Sequence, residues 1–514
     1  MTNPIAAMRM LIIYAILIPL AMFVGYLVTN PMDYGTIGFL AFVGVLLISP
    51  IFIKWNYPIL IFALGCPAYL FFLPGRPLMA QVVVVIALFI AVLERILSSG
   101  RRFIPAPVMA WPLLFVAAMA YMTAELTGGI NLHFIGGAEG GGAKYIQLFT
   151  GIACFFAVTS QTIRPERRNF YLALFLLPTL LGILSDMFPF LPKPLNTINL
   201  LFPPGAGSVN QAGGHSIRLT ALGKSVGILY IYLLARYGLR GTLDTRHPWR
   251  VIIAVGSFTL TMFGGFRNTF IGFFMLAGLL FFFERLYRTR LVLVVVFAGV
   301  IGATALVAFS NKLPYTFQRS LSFLPLKWDV EVTVDAEGST EWRKRIWEAT
   351  WPKVPDYLLL GKGYQLTKAD FDLMGGGQFA GGSGAKFDAG EEGLAISSDF
   401  HSGPLSTLIP FGIWGAIGIL WVMAACGYVL FSNYKYGDPT LLAFNTFMLA
   451  SWIGYVIFFF FFFGAFVDDV GWTYGKLAGF SLAMNGGLMR RPARAGYTAP
   501  LRQVAGPEIT PQVV

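Results

Sequence analysis

The feature that most constrains this chain is a series of long, unbroken apolar runs. Each run is about 17–25 residues long, the length that a helix needs to cross a hydrocarbon core of about 30 Å. Apolar residues make up 56% of the 514 residues and charged residues only 12%, about half the charged share of a soluble domain. We therefore expect an all-α protein, a polytopic membrane helical bundle, rather than a string of soluble domains.

The runs predict about fourteen spans. The first is too long for a signal peptide, and no small-residue cleavage site follows it. The phenylalanine run at 458–463 is predicted to face lipid. The predicted spans lie near residues 10–28, 36–53, 57–73, 77–94, 107–123, 145–160, 170–187, 217–235, 249–264, 268–283, 291–309, 404–430, 440–463 and 472–489.

Basic residues gather in alternate connecting segments, as cytoplasmic loops require. Both termini are therefore predicted to be cytoplasmic, with membrane lipid as the surrounding partner. The net charge of +12 then reflects sidedness, and no nucleic-acid partner is expected. This orientation divides the chain into a bundle of about eleven spans at 1–309, a periplasmic loop at 310–402, further spans at 403–489 and a cytoplasmic tail at 490–514.

One helix can be recognised in the long predicted periplasmic loop. Ser339 is predicted to cap it and Pro352 to end it. Trp342, Ile346 and Ala349 then fall on one face, which is expected to lie on the membrane surface or against the ends of the spans. The glycine-rich stretch that follows, at 375–393, is predicted to be a flexible flap.

The sequence contains no catalytic motif of a soluble enzyme. A glycine-rich phosphate loop, HExxH and GxSxG are all absent from it. Cys66, Cys154 and Cys426 each fall within an apolar run without a CxxC partner, so they are predicted to be structural thiols. Neither a metal nor a cofactor is expected.

Attention therefore falls on basic residues at the predicted outer face, where such residues are disfavoured. Arg218 opens the eighth span and Arg267 lies in the short turn GGFRNTF; each either snorkels from a span end or serves a function. Lys224 lies deeper and either extends a cationic pocket or pairs with an acid such as Asp186. His401, where the long loop meets the next span, is either structural or a general base.

Two further pairs belong to the same predicted face. Of Arg343 and Arg345 on the loop helix, one is expected to be solvated and the other to reach toward the membrane. Asp468 and Asp469 orient an arginine or the histidine, or simply mark a turn. Together these residues indicate a site where guanidinium groups bind a diphosphate and histidine activates a hydroxyl group.

At these residues the sequence resembles the O-antigen ligase and O-antigen polymerase superfamily of bacterial membrane glycosyltransferases. The resemblance covers roughly residues 215–430. It rests on IRLTALG, GGFRNTFIGFF, WRKRIWEATWPKVPDYLLLGKGYQ and FHSGPLSTLIPFGIWGAIGIL, in that order. The sequence departs from the family at Ser402, where Asn is common, and at Lys224 and Ser225.

The resemblance implies a metal-independent transfer, with inversion, from an undecaprenyl-diphosphate-linked glycan donor. Arg218 and Arg267 would contact the lipid diphosphate, His401 would be the base, and Arg343 or Arg345 would be a supporting donor. The acceptor would be lipid A-core for a ligase or a second lipid-linked glycan for a polymerase. The ligase is favoured, and transfer to a secreted protein stays open.

Two other classes of function remain as alternatives. A lipid-linked glycan transporter or flippase predicts ionisable residues near the middle of spans and two repeated halves. Here the polar residues gather at one face and no internal repeat is visible. The second alternative is a non-catalytic membrane scaffold whose long loop binds a partner.

Overall fold

The computed structural model describes residues 34–73, 75–97, 103–128, 142–187, 197–203, 219–365 and 400–490, with a few isolated positions outside these ranges. Every regular element within these residues is a helix, and the described part of the chain has only one isolated β-bridge, between Tyr69 and Leu78. The predicted all-α class is therefore confirmed.

The first half of the described chain forms six α-helices, and one of them, Gly142–Val158, has a single exposed residue. They are α1 (Tyr34–Gly65), α2 (Met79–Leu97), α3 (Pro107–Thr127), α4 (Gly142–Val158), α5 (Arg168–Leu176), continued by the 3-10 helix Leu177–Ser185, and α6 (Ile198–Leu201). The predicted spans at 36–53 and 57–73 meet in α1, whose backbone leaves helical geometry at Trp55.

The second half contains two more groups of membrane helices separated by the helices of the long loop. Its helices are α7 (Thr220–Thr242), α8 (Pro248–Thr261), α9 (Arg267–Phe283), α10 (Leu291–Phe309), α11 (Tyr315–Leu321), α12 (Val330–Thr350), α13 (Val354–Tyr357), α14 (Gly403–Tyr436), α15 (Leu442–Phe461), α16 (Phe466–Asp468) and α17 (Lys476–Asn485), with a π-helix at Asp469–Gly475.

Six helices in the described residues are long and apolar enough to cross a membrane, so the protein is an integral membrane protein. Four further apolar helices are shorter. The count of fourteen spans stays a prediction, since the first run lies almost wholly outside the described residues. The six helices are Met79–Leu97, Pro107–Thr127, Pro165–Ser185, Leu291–Lys312, Gly403–Tyr436 and Pro439–Phe461.

Glycine allows α4 to lie in backbone contact with the π-helix. A Cβ atom added to Gly471 would lie 2.1 Å from the carbonyl carbon of Gly151, so neither helix tolerates a side chain at this crossing. Trp472 closes the contact by donating its indole N–H to the Gln147 carbonyl at 2.8 Å. Close approach through small residues is the usual way in which membrane helices associate.

Helices α11, α12 and α13 cover one end of the bundle, which we call the loop end. The fully buried Ile346 of α12 packs against Val354, Phe400 and Leu405. The Trp347 indole N–H donates to the Phe400 carbonyl at 2.9 Å. Helix α12 therefore rests on the beginning of α14 rather than extending into solvent.

The predicted start of this helix was wrong. Ser339 lies in the middle of α12, which begins at Val330 after Asp329 and carries Glu331 in its first turn. An acidic residue in the first turn favours a helix start there because it interacts with the positive end of the helix dipole. The predicted face holds for Ile346, which is buried, but Ala349 is exposed.

Candidate functional site

The turn that carries Arg267 is shaped by glycine. Gly265 adopts a φ of 65°, which ends the 3-10 helix Met262–Gly264 and lets α9 begin at Arg267. A Cβ atom on Gly223 of α7 would lie 2.7 Å from the Cα atom of Gly264. The turn is therefore tight and lies directly against α7. Gly265 allows its left-handed backbone, and Gly223 allows the close backbone contact.

Arg267 faces helix α12. Its Nη2 donates to the Ala336 carbonyl at 3.2 Å, to the Ser339 hydroxyl at 2.7 Å and to the Thr340 hydroxyl at 3.3 Å. The side chain is half-buried. None of these three partners carries a negative charge, because one is a carbonyl oxygen and two are hydroxyl oxygens.

Arg343 lies one turn further along α12 from Ser339, so both residues share a face. It is half-buried, and its Nε is enclosed without a hydrogen-bond partner. Burial, and then the positive charge of Arg319, lower the pKa of the Arg343 guanidinium group. Arg345 is exposed. Of the two predicted arginines, therefore, Arg343 is the one that is half-buried near another arginine, Arg319.

His401 lies where the long loop enters α14, as its sequence position indicates. Its φ of 49° is left-handed, an uncommon conformation for a residue with a side chain. The imidazole ring contacts the rings of Trp342 and Phe463 edge to face, each with centroids 5.1 Å apart. The junction thus holds the ring between α12 and the end of α15.

Helix α12 brings three of the predicted residues together. Arg267 bonds to it at Ser339, and His401 packs against it at Trp342, three residues later. Three residues correspond to a rise of about 4.5 Å along a helix. Arg343 follows immediately. Arg343 and the positions of α12 that Arg267 and His401 contact therefore lie within about one turn of this helix.

Lys224 lies beside the same turn, whereas Arg218 lies outside the described residues. The Lys224 ammonium group is 4.8 Å from the centroid of the Phe266 ring. Its charge also acts on Asp186, whose carboxylate accepts the backbone N–H of Leu222 at 2.7 Å. Lys224 thus lies near Phe266, the residue before Arg267, and near Asp186, and both of its predicted roles stay open.

The two aspartates hold a turn between helices. Asp468 accepts a hydrogen bond from the Gln147 amide of α4, and Asp469 accepts the backbone N–H of Ala465 at 2.9 Å. These contacts fit the prediction that the pair marks a turn. Within the described residues, no group of three or more His, Cys, Asp or Glu side chains is arranged to hold a metal ion.

Sequence reasoning missed Arg319. It lies on α11, pairs with Asp335 of α12 and donates to the Gly265 carbonyl at 2.7 Å. Its charge acts on both Arg267 and Arg343. No motif marks it in YTFQRSLSF; the only signal is its position one helical turn after Tyr315.

The O-antigen ligase family model matches residues 252–420. The resemblance to the O-antigen ligase and polymerase superfamily is confirmed. The matched segment contains Arg267, Arg319, Arg343 and His401, whereas Arg218 and Lys224 precede it. The match supports a membrane glycosyltransferase of O-antigen ligase type. No curated protein matches the chain.

Proposed function

We propose that this protein is an O-antigen ligase that transfers a glycan from undecaprenyl diphosphate to lipid A-core at the periplasmic side of the inner membrane. The observation that supports the proposal is that Arg267 and His401 contact α12 at Ser339 and Trp342, beside Arg343 on the same helix. This group lies within the segment that matches the O-antigen ligase family.

The arginines are proposed to bind the diphosphate of the donor. Guanidinium groups keep their charge and can bond two phosphate oxygens at once. The enclosed Nε of Arg343 without a partner and the neutral partners of Arg267 favour an anionic ligand at this place. Arg218 and Lys224 are proposed to complete the cationic side.

His401 is proposed to be the general base. A neutral imidazole would accept the proton of an acceptor hydroxyl group while that oxygen attacks the anomeric carbon of the donor sugar. The bond between that carbon and the diphosphate oxygen breaks, and the diphosphate leaves with the electron pair. The arginines stabilise the charge that develops on it. One such displacement inverts the anomeric carbon.

The surroundings of the turn suit a polyprenyl tail. The rings of Phe258, Phe266, Phe270 and Phe273 gather beside the turn, next to the buried Ser320. A lipid diphosphate places its charge at the membrane interface and its chain in hydrocarbon. The rings are proposed to contact the first isoprene units below the arginines.

The test is glycan transfer by purified full-length protein with a chelator present. Separate reactions would contain undecaprenyl-diphosphate glycan with either lipid A-core or a second lipid-linked repeat. We expect Arg267→Ala and His401→Ala to lose at least about 100-fold in turnover. The exposed neighbour variant Arg345→Ala should retain turnover.

The acceptor reactions separate the alternatives. Product with lipid A-core supports the ligase, whereas product only with the lipid-linked repeat identifies a polymerase. Undiminished transfer in Arg267→Ala and His401→Ala would reject the proposed site. Failure of the wild-type protein with both acceptors would reject both the ligase and the polymerase.

A further inference from the structure

Arg319 connects the turn of Arg267 to helix α12. Its Nη1 donates to the Gly265 carbonyl at 2.7 Å, two residues before Arg267. On its other side, Nε and Nη2 donate to the two carboxylate oxygens of Asp335, the latter at 3.4 Å. The Arg319 side chain is only 12% exposed, so solvent screens this ion pair less than it screens a surface pair.

Helix α11 is braced so that Arg319 keeps this position. Tyr315, one turn earlier, donates its hydroxyl to Asp335 at 2.7 Å. Ser320 donates its hydroxyl to the Met262 carbonyl at 3.2 Å, next to the same turn. Gln318 exchanges hydrogen bonds with Asp329, at the start of α12. The short helix therefore ties α12 to the turn at several points.

The ion pair between Arg319 and Asp335 also affects the net charge around Arg267 and Arg343. Arg267, Arg319 and Arg343 lie close enough for their charges to act on one another, and Asp335 acts on Arg267 as the opposing charge. Asp335 pairs directly with Arg319. The charge of Arg319 is thus balanced within the protein, and it serves the geometry of its neighbours rather than the binding of a ligand.

The side chain of Arg267 donates hydrogen bonds to α12, at Ala336, Ser339 and Thr340. Arg267 is therefore held by two elements, the turn that precedes it in the sequence and helix α12, which its side chain contacts. Arg319 contacts both elements at once. Loss of Arg319 would loosen the turn relative to α12, and misplacement by about 1 Å can cost about 100-fold in rate.

We infer that Arg319 is a positioning residue that fixes Arg267 against α12 through the Gly265 carbonyl and Asp335. The inference rests on the proposed function, because it assigns Arg267 to the leaving diphosphate. This positioning role makes Arg319 necessary for turnover, although its own charge is already paired with Asp335.

The test compares Arg319→Gln with the exchange variant Arg319→Asp/Asp335→Arg. The exchange variant keeps an ion pair between α11 and α12 but removes the guanidinium bond to Gly265. We expect Arg319→Gln to lower kcat by about 10- to 100-fold with a smaller change in donor KM. The exchange variant should regain the melting temperature of the wild type but not its kcat.

Recovery of wild-type kcat by the exchange variant would overturn the inference, since Arg319 would then be only half of a structural ion pair. Wild-type kcat in Arg319→Gln would overturn it as well. Arg345→Gln is the matched control on the exposed side of α12 and should leave kcat unchanged.

Hydrogen exchange separates this inference from the proposed function. In full-length protein, Arg319→Gln should increase exchange at the amides of residues 262–268, and Arg345→Gln should not. This readout needs no substrate. Absence of transfer by the wild type would reject the proposed function alone, whereas unchanged exchange at the turn would reject the positioning role.

Discussion

Asp469 is the first residue of the π-helix, and its carboxylate accepts the backbone N–H of Ala465 at 2.9 Å. Burial, opposed by this hydrogen bond and reinforced by the charge of Asp468, raises the pKa of Asp469 to about 7. Below about pH 4 the group is protonated in both the folded and the unfolded chain. As pH rises toward 7, only the unfolded chain ionises freely, so this residue makes folding less favourable.

We therefore expect the melting temperature of the detergent-solubilised protein to fall between about pH 4 and pH 7, and Asp469→Asn to reduce that fall. Asp438→Asn is the control, because the hydrogen bond from Arg168 lowers the pKa of Asp438 to about 2. Its stabilising effect is present above about pH 4 and is lost only in acid. An equal fall in Asp469→Asn and the wild type would contradict the prediction.

At the scale of single residues, the sequence could identify functional candidates but not their partners. Arg267 and His401 stand out because each interrupts apolar sequence at a predicted turn or loop junction. Arg319 has no such mark, because its contacts lie 16 residues away at Asp335 and 54 residues away at Gly265. Only the folded loop brings these residues together.

At the scale of elements, the sequence indicates where a helix ends better than where it begins. The stop near Pro352 was correct to within a turn, since α12 ends at Thr350. Its start was placed late because Ser339 is a good cap, yet in the fold its hydroxyl accepts a hydrogen bond from Arg267. The phenylalanine run is likewise divided: Phe461 is 75% exposed, but Phe459 is buried at 3% and Phe463 contacts His401.

The docking of α12 can be tested at Ile346, which is fully buried against Phe400 and Leu405. We expect Ile346→Ala to weaken this docking by about 2–5 kcal/mol, the usual effect of removing a large core side chain. Transfer should fall, and amide exchange in residues 400–406 should rise. Glu348→Ala is the control, since Glu348 is exposed and its pairing with Lys344 spans 3.7 Å. Equal exchange in both variants would show that α12 does not support the His401 junction.

At the scale of the whole molecule, hydropathy identifies a membrane protein, whereas the packing order of the helices depends on contacts that hydropathy does not record. Helix α10 illustrates this. Its composition resembles that of other spans, but none of its residues is buried. By contrast, more than half of the most apolar stretch of Gly403–Tyr436 is buried, at 56%. Average hydropathy cannot separate a helix inside the bundle from one at its edge.

Because its residues are exposed, helix α10 is predicted to face lipid. Val300 is 60% exposed and lies near the middle of this helix. Exposed apolar surface of this extent is stable only against lipid or another protein surface. A nitroxide label at Val300→Cys in the full chain should therefore be reached by oxygen, which concentrates in hydrocarbon, and not by a water-soluble nickel chelate. The three native cysteines are buried and free, so they should not compete for the label.

Lys344→Cys provides the opposite control, because Lys344 is 72% exposed on α12 at the loop end. Its label should respond to the nickel chelate, in agreement with a loop end that faces water. A label at Val300 that the chelate reaches would place α10 outside the membrane. A label there that neither reagent reaches would show that another surface covers the helix. Only the oxygen response assigns α10 to the lipid-facing edge of the bundle.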